Sequence, residues 1–388
     1  GTAVQPALPI GEYVVDLNSF AGGLATDERL TLPEMLKQKG YVTGYAGKWH
    51  LEGPRKPGWA PPKKFGFTDN RYMFNRGHWK KLEIGDAGPQ VGARKDGKPT
   101  YSLAGADERT FTTDWLADRT IDFINQNKDE PFCYMVAIPD PHGPNTVRAP
   151  YDTMFDPSRF EQPASARAKS DPNLPAFQQV MRDRFNARQM ALYFGMVTCI
   201  DDNIGKILAA LRQAEILDRT IVVFTSDHGD MCGELGRHNK GIPCEGSARI
   251  PFILHAPGLV KAGTVVHEAL GTVDFKPTLL GLLGVEDNTH REGRDASALL
   301  RTGEAPNGWE NITFVRIGDP AGDGKNAKGW IGAFTSDHKL VLSPGSPPAL
   351  FDLDKDPNEL RNGIALPQHR DVIRQLGKAL QRYGKQFN

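Results

Sequence analysis

Three short segments of this sequence each put a histidine beside groups suited to chemistry on an anion. Residues 220–241, TIVVFTSDHGDMCGELGRHNKG, run from an apolar stretch directly into Ser226-Asp227-His228-Gly229-Asp230. A carboxylate and an imidazole at the end of a strand can both face one divalent cation, and the glycine lets the backbone turn sharply there. Twelve residues after His228 stands Lys240, in a loop able to fold back over the same place. A divalent cation beside an ammonium suits a sulfate- or phosphate-like group. Residues 41–53, YVTGYAGKWHLEG, carry Lys48 and His50. Two residues apart, they point to the same side of an extended chain, so that a cation and a proton-transfer group converge. Residues 135–144, MVAIPDPHGP, hold His142 in a loop stiffened by Pro139, Pro141 and Pro144. Each segment alone also fits a plainer account: turn residues after a strand, an edge strand with a surface lysine, a proline-rich turn. Together they fit the carboxyl edge of one sheet, where α/β folds bind their ligands.

The elements that must position these residues alternate in type. A helix is expected over about 32–39 and a strand over 41–46. A second helix is expected over 113–127, with Leu116, Thr120, Phe123 and Ile124 on one face. PFCYMVAI at 131–138 is a continuous apolar strand. A long helix is expected over 177–213, with Ile200, Ile204, Ile207, Leu208 and Leu211 as its buried stripe. TIVVFT at 220–225 and PFILHA at 251–256 are further apolar strands. Strands apolar on both faces and separated by helices imply an α/β fold, with a mostly parallel central sheet sandwiched by helices. Past about 304 the character changes to short strands, ITFVRI, GWIGAFT, HKLVLS and ALFDL, and a last helix over 369–383. Residues 305–388 therefore read as a smaller C-terminal antiparallel α+β domain, following a larger domain over 1–304. Residues 53–99, rich in Gly, Pro and Lys, read as long loops. They carry Arg55, Lys56, Trp59, Arg71, Tyr72, Arg76, His78 and Trp79. That mixture suits a sulfated saccharide by charge and ring stacking, and equally an ordinary solvated loop.

Lys plus Arg equals Asp plus Glu, at 47 each, so no net field draws the chain to nucleic acid or to an anionic membrane. Any anion site is local. No apolar run approaches the ~20 residues of a membrane span. The opening, GTAVQPALPIGEYVVDL, has neither the basic start nor the apolar core of a signal peptide. Cys133, Cys199, Cys232 and Cys244 form no CxxC pair, which excludes zinc ribbons and dithiol redox motifs. Cys133 and Cys199 lie in apolar stretches and read as small buried hydrophobes. Cys232 and Cys244 flank the His/Lys-rich loop, where a disulfide and two free thiols are both open.

These segments, taken in order, resemble the type I sulfatases of the alkaline-phosphatase superfamily. Gly47-Lys48-Trp49-His50-Leu51 resembles that family's second signature, in which the Lys holds the sulfate and the His contacts the nucleophile. Pro141-His142-Gly143-Pro144 resembles the loop whose His binds a sulfate oxygen. Ser226-Asp227-His228-Gly229-Asp230 resembles the second metal-ligand segment, with Asp227 and His228 as ligands, and Lys240 matches the second sulfate-binding lysine. Residues 245–251 (EGSARIP), 293–297 (GRDAS) and 351–359 (FDLDKDPNE) resemble later landmarks. The resemblance spans about residues 30–359. It implies a sulfuric ester hydrolase acting on a sulfated small molecule or saccharide, with Ca²⁺ as cofactor, or Mg²⁺ or Mn²⁺, and a periplasmic or secreted location. It implies a formylglycine nucleophile, charge stabilisation by Lys48 and Lys240, a sulfate contact from His142 and proton transfer by His50.

The chain departs from the family in three ways. The N-terminal strand with its two metal-binding aspartates, and the Cys/Ser-x-Pro-x-Arg motif that yields formylglycine, have no counterpart here. The expectation is therefore a truncated piece, inactive by itself. His228 stands where many relatives have Asn, and imidazole is a less usual ligand for Ca²⁺ than for Mn²⁺. Cys244 stands where relatives often carry an aromatic. Asp201-Asp202 lies mid-helix and reads as helix surface. The same cation set serves a phosphate- or phosphonate-ester hydrolase of the superfamily, and a non-catalytic relative that only binds sulfated glycans.

Overall fold

The computed structural model describes residues 30–50, 56–60, 65–181, 185–287, 293–317, 329–343 and 345–386. In chain order it runs α1 (Leu32–Gln38), β1 (Val42–Trp49), β2 (Asp69–Asn75), β3 (Leu82–Gly85), β4 (Gly88–Val91), β5 (Arg94–Lys95), β6 (Lys98–Pro99), α2 (Thr112–Asn127), β7 (Phe132–Ala137), α3 (Ala164–Arg167) and α4 (Ala187–Gln213). There follow β8 (Val222–Thr225), α5 (Glu245–Ala248), β9 (Phe252–His255), α6 (Phe275–Leu283) and α7 (Ser297–Thr302). Last come β10 (Thr313–Ile317), β11 (Trp330–Phe334), β12 (His338–Leu342), β13 (Ala349–Asp352) and α8 (Arg370–Gln386). The chain folds into two compact units. One holds Leu30–Glu161 with Asn186–Ile221, and the other holds Gln162–Phe185 with Val222–Asn388.

The first unit is built on a parallel sheet in the order β2-β1-β7, with Val42 opposite Phe132 and Gly47 opposite Ala137. The chain enters it through α1. Thr31 caps that helix by accepting from Glu34 N, while Glu34 Oε2 accepts from Thr31 N at 2.6 Å, a reciprocal cap that satisfies two otherwise orphan donors. The stripe expected on α2 is observed: Leu116, Thr120, Phe123 and Ile124 are all buried. DNRYMFN, read as part of a loop, is the strand β2, pairing parallel to β1. Its polar start, Asp69-Asn70-Arg71, masks the apolar Met73 and Phe74 that it buries. Further along, residues 82–91 and 94–99 form the short ribbons β3–β4 and β5–β6.

The long helix differs from expectation. It begins at Ala187, where Asn186 accepts from Gln189 N at 3.0 Å, and Ala176–Gln178 forms a separate short turn before it. Its buried line is Met196, Cys199, Asn203, Ala210 and Leu211, while Ile200, Ile204, Ile207 and Leu208 are half-buried. The line is turned because Asn203 faces inward, donating from Nδ2 to Asp114 at 3.0 Å. Asp114 is fully buried and holds Arg148 in a two-pronged bond, 2.8 and 2.7 Å. Charge in the core is tolerated here because the carboxylate's oxygens are met by fixed donors. Asp201 and Asp202 lie on the exposed face of α4 as expected, with the Tyr151 hydroxyl donating to Asp202 at 2.7 Å.

In the second unit β8 and β9 pair antiparallel with each other, Val222 opposite His255 and Thr225 opposite Phe252. Both were expected in a parallel sheet; an apolar run marks a strand without stating the direction of its neighbour. The C-terminal strands form an antiparallel meander, β10-β11-β12-β13, covered by α8. Ile331, Leu340, Leu350, Leu376 and Leu380 centre that core. Lys339, 1% exposed, is clamped by Glu245 at 2.6 Å, Glu359 at 3.0 Å and the Pro243 carbonyl at 2.9 Å. All four cysteines are free thiols and Cys244 is buried, so Cys232 and Cys244 do not pair. The expected class holds: an α/β fold with a parallel core sheet and a C-terminal antiparallel sheet closed by a helix.

Candidate functional site

In the first unit the chemistry gathers where β1 and β7 end side by side. β1 must turn at Gly47 to present Lys48. Gly47 has φ +98°, and a Cβ there would stand 2.1 Å from the Ala137 carbonyl oxygen, so only glycine lets β7 come this close. The Tyr45 hydroxyl donates to the Lys48 carbonyl at 2.6 Å and fixes the backbone beyond the turn.

Lys48 Nζ lies 3.1 Å from His78 Nε2, and the His78 ring stacks on His142 at 3.6 Å with 9° between planes. An ammonium can only donate, so His78 accepts through Nε2 and is neutral. Burial first, then the charge of Lys48, then His142, Lys56 and Lys80, pull His78 down to about 3. A neutral imidazole steadies the ammonium without cancelling its charge. His142 is held by its own loop: Nδ1 meets the Gly143 carbonyl at 3.0 Å and its backbone N donates to the Pro139 carbonyl at 3.1 Å. His50 lies just past β1 and is exposed.

Under this group sits a buried ion pair. Lys80, 0% exposed, donates to Asp140, and Thr113 Oγ1 donates to the other Asp140 oxygen at 3.1 Å. Asp140 belongs to the proline-rich loop, two residues before His142, so the pair anchors that loop to the interior. Sequence reasoning placed neither Lys80 nor Asp140 in the site, since nothing local marks which of Lys80 and Lys81 is buried. His78 was named only as a loop residue. Among the other loop residues, Lys56 lies 4.9 Å from the Tyr101 ring centre, which faces His78 at 6.0 Å. Trp79 is a core residue, 3% exposed, and Trp59 packs on Phe74 and Trp115 rather than offering a stacking face. Arg71 pairs with Asp69. Leu51 and Arg55 lie outside the described residues.

In the second unit, β8 ends in the Asp227–His228 segment. His228 N donates to Asp227 Oδ1 at 3.0 Å, and Ser226 Oγ donates to the His228 carbonyl at 2.8 Å. His228 Nδ1 meets the Gly229 carbonyl at 2.8 Å, which directs Nε2 to the other side, 3.4 Å from Asp227 Oδ2. The Asp227 side chain is 75% exposed. Two donor atoms about 3.4 Å apart are what one cation with bonds near 2.4 Å would hold in adjacent positions. Gly229 is required here: a Cβ would stand 2.2 Å from the Gly246 carbonyl oxygen. Asp230 Oδ1 accepts from Cys232 N at 3.0 Å and Asn239 N at 2.9 Å, so the aspartate closes the loop rather than facing a ligand. Met231 N donates to the Asn239 carbonyl at 2.8 Å, which brings the exposed Lys240 back toward the turn. Gly241 N then donates to Ser247 Oγ at 3.0 Å, tying Lys240 to α5.

Comparison with known proteins follows the same segments. The family model described as Sulfatase matches residues 5–285, and that of the C-terminal part of N-sulphoglucosamine sulphohydrolase matches residues 233–386. An ulvan-active sulfatase of Formosa agariphila is 27% identical, covering 100% of this chain and 73% of its own length. An N-acetylglucosamine-6-O-sulfatase of Bacteroides thetaiotaomicron is 25% identical, over 95% of this chain and 75% of its own. An enzyme solved with D-glucosamine-2-N,6-O-disulfate as substrate superposes with TM-score 0.71 at 22% identity, covering 95% of this chain and 84% of that one. The phosphonate monoester hydrolase of Agrobacterium radiobacter does so with TM-score 0.70 at 24% identity, covering 92% and 80%. The fold is thus shared by hydrolases of different anions.

Proposed function

The chain belongs to the sulfatase family, the sulfuric ester hydrolases, and from that premise we propose that it serves the metal-dependent hydrolysis of sulfate esters carried on a saccharide. The observation that carries this reading is the Lys48–His78–His142 group, an ammonium donating to a neutral imidazole at the ends of two parallel strands. Such a group stabilises negative charge on sulfuryl oxygens more as it grows in the transition state. Lys48 takes one sulfuryl oxygen; by family resemblance Lys240 is the second sulfate-binding cation and His142 a further sulfate contact. His50, exposed beyond β1, is the proton-transfer group.

Asp227 and His228 are the residues that would hold the metal. When bound, the cation supplies Lewis acidity toward a sulfate oxygen. Calcium is the first choice by family resemblance, and the imidazole of His228 also suits manganese. The names of the two relatives, for ulvan and for N-acetylglucosamine, support a sulfated saccharide. Lys56 and Tyr101, beside His78, are the contacts assigned to its ring. No described helix is long and apolar enough to cross a membrane. A saccharide substrate met outside the cell takes the protein to the periplasm or beyond.

The test is turnover of an aryl sulfate and its matched aryl phosphate by the complete gene product, with and without Lys48→Ala. Loss of sulfate turnover by orders of magnitude, with an unchanged circular dichroism spectrum, is expected. Near-normal turnover sinks the assignment, and a faster phosphate than sulfate rate in the parent protein replaces it with phosphate-ester hydrolysis.

A further inference from the structure

The C-terminal meander holds a second constellation of metal-ligating groups, away from the Asp227–His228 segment in sequence and on different elements. His338 opens β12 and stands directly opposite Asp352, the last residue of β13. His369 comes from the turn before α8. His338 Nε2 lies 3.9 Å and His369 Nε2 4.0 Å from Asp352 Oδ2, and one ligand atom from each residue lies within 4.8 Å of the others. The Asp352 and His369 side chains are 9% and 6% exposed, and that of His338 is 19%.

The surroundings are built as a metal's would be. His338 Nδ1 lies 3.1 Å from Asp337 Oδ2, and Asp337 Oδ1 accepts from the Thr335 hydroxyl at 2.8 Å. A carboxylate on one ring nitrogen fixes the proton there and turns the lone pair of the other toward the centre, the usual arrangement around a ligating histidine. Asp352 Oδ1 accepts from Lys355 N at 3.1 Å, which orients the carboxylate. Its Oδ2 holds Lys355 Nζ at 2.7 Å. That lysine side chain is 74% exposed, so it is a cation that can swing into water when a better one arrives. Gly363 gives the His369 ring its place: a Cβ there would stand 3.2 Å from His369 Cδ2.

We propose that His338, Asp352 and His369 form a binding site for a divalent transition-metal ion of the zinc class. Two imidazoles and one carboxylate select such an ion over calcium or magnesium, which prefer oxygen. Bonds of about 2.0–2.1 Å put the ligand atoms of a tetrahedral zinc roughly 3.4 Å apart. The two imidazoles must therefore each close on Asp352 by about half an ångström, and on each other, from within 4.8 Å, by up to roughly 1.4 Å, changes that side-chain torsions supply while the β12–β13 ladder stays fixed. Water takes the fourth position, on the side where His338 is open. The ion would tie two strands to the entry of α8.

The experiment uses the full chain, stripped with chelator and titrated with zinc alone. One equivalent is expected to bind, with a rise in melting temperature. His338→Ala and His369→Ala are each expected to weaken it at least ~100-fold, and Asp337→Asn, a positioning change, by about 10-fold. Lys355→Ala, which removes the competing cation, is expected to tighten it. Asp227→Asn is expected to leave the equivalent in place, which separates this ion from the one expected at β8. Imidazole ¹⁵N spectra of the unaltered chain give a readout that needs no variant: zinc should shift His338 and His369 together. No uptake by the parent chain, uptake undiminished in the His338→Ala/His369→Ala double variant, or uptake lost only in Asp227→Asn overturns the proposal.

Discussion

Asp140→Asn should weaken the protein far more than its small change of shape suggests. The carboxylate belongs to the His142 loop and faces Lys80, which is wholly buried; Thr113 is its other partner. The amide keeps the volume and can still accept from Thr113, but it no longer neutralises the ammonium. Breaking a buried pair in this way costs about 3–5 kcal/mol. Urea unfolding followed by tryptophan fluorescence is the assay, since Trp79 adjoins Lys80 in sequence and Trp115 lies two residues from Thr113. Lys80→Met should cost a similar amount. The double variant should cost less than the sum of the two by about 2 kcal/mol or more, the signature of two residues that act as one. Single-variant losses under about 1 kcal/mol that add in the double variant would refute the reasoning.

Four further outcomes follow from other residues. Arg148→Met should cost about 3–5 kcal/mol by urea unfolding, because it strips the two-pronged partner from buried Asp114. Burial alone would raise Asp114, but the Arg148 and Asn203 bonds and the charges of Arg148 and Lys206 more than offset it and hold it below the usual carboxylate range. Its contribution is thus fully present above about pH 4 and is lost as pH falls through the lower folded value, so the variant should be less acid-sensitive in that window. His78 sits well below the ordinary 6.5, so the unfolded chain binds its proton first and stability falls as pH drops from 6.5 toward 3. His78→Gln should flatten that limb in a melting-temperature series, and an unchanged limb would show that His78 is not held neutral. Burial pushes the Cys133 thiol up to about 11, and raises Cys199 and Cys244 as well, so native alkylation at pH 8 should mark Cys232 first and the other three only after unfolding. Gly47→Ala should lower sulfate turnover together with stability, since the added methyl meets the Ala137 carbonyl; a variant with parental turnover would remove Gly47 from the account of how Lys48 is presented.

Much of the fold was legible because periodicity is a local property. The stripe of Leu116, Thr120, Phe123 and Ile124 announces α2 wherever it packs, and apolar runs announce β7, β8 and β9. The C-terminal strands and α8 were readable for the same reason, and so was their antiparallel meander. The candidate residues Lys48, His142, Asp227, His228 and Lys240 were found because strand ends and glycine turns are written in consecutive residues. What consecutive residues do not carry is the identity of a neighbour. That Asn203 rather than Ile204 lies in the core depends on Asp114, 89 positions away. That β8 and β9 run antiparallel depends on which edges meet. That Lys80 is buried and Lys81 is not depends on Asp140 lying beneath it, and that His78 is a neutral partner of Lys48 depends on a stack with His142. The His338–Asp352–His369 group exists only because a strand register and a distant turn bring three unremarkable residues to one point. Sequence sets what each side chain can donate, accept or bury; burial and proximity, which fix charge states and choose partners, arise only when the chain has closed on itself.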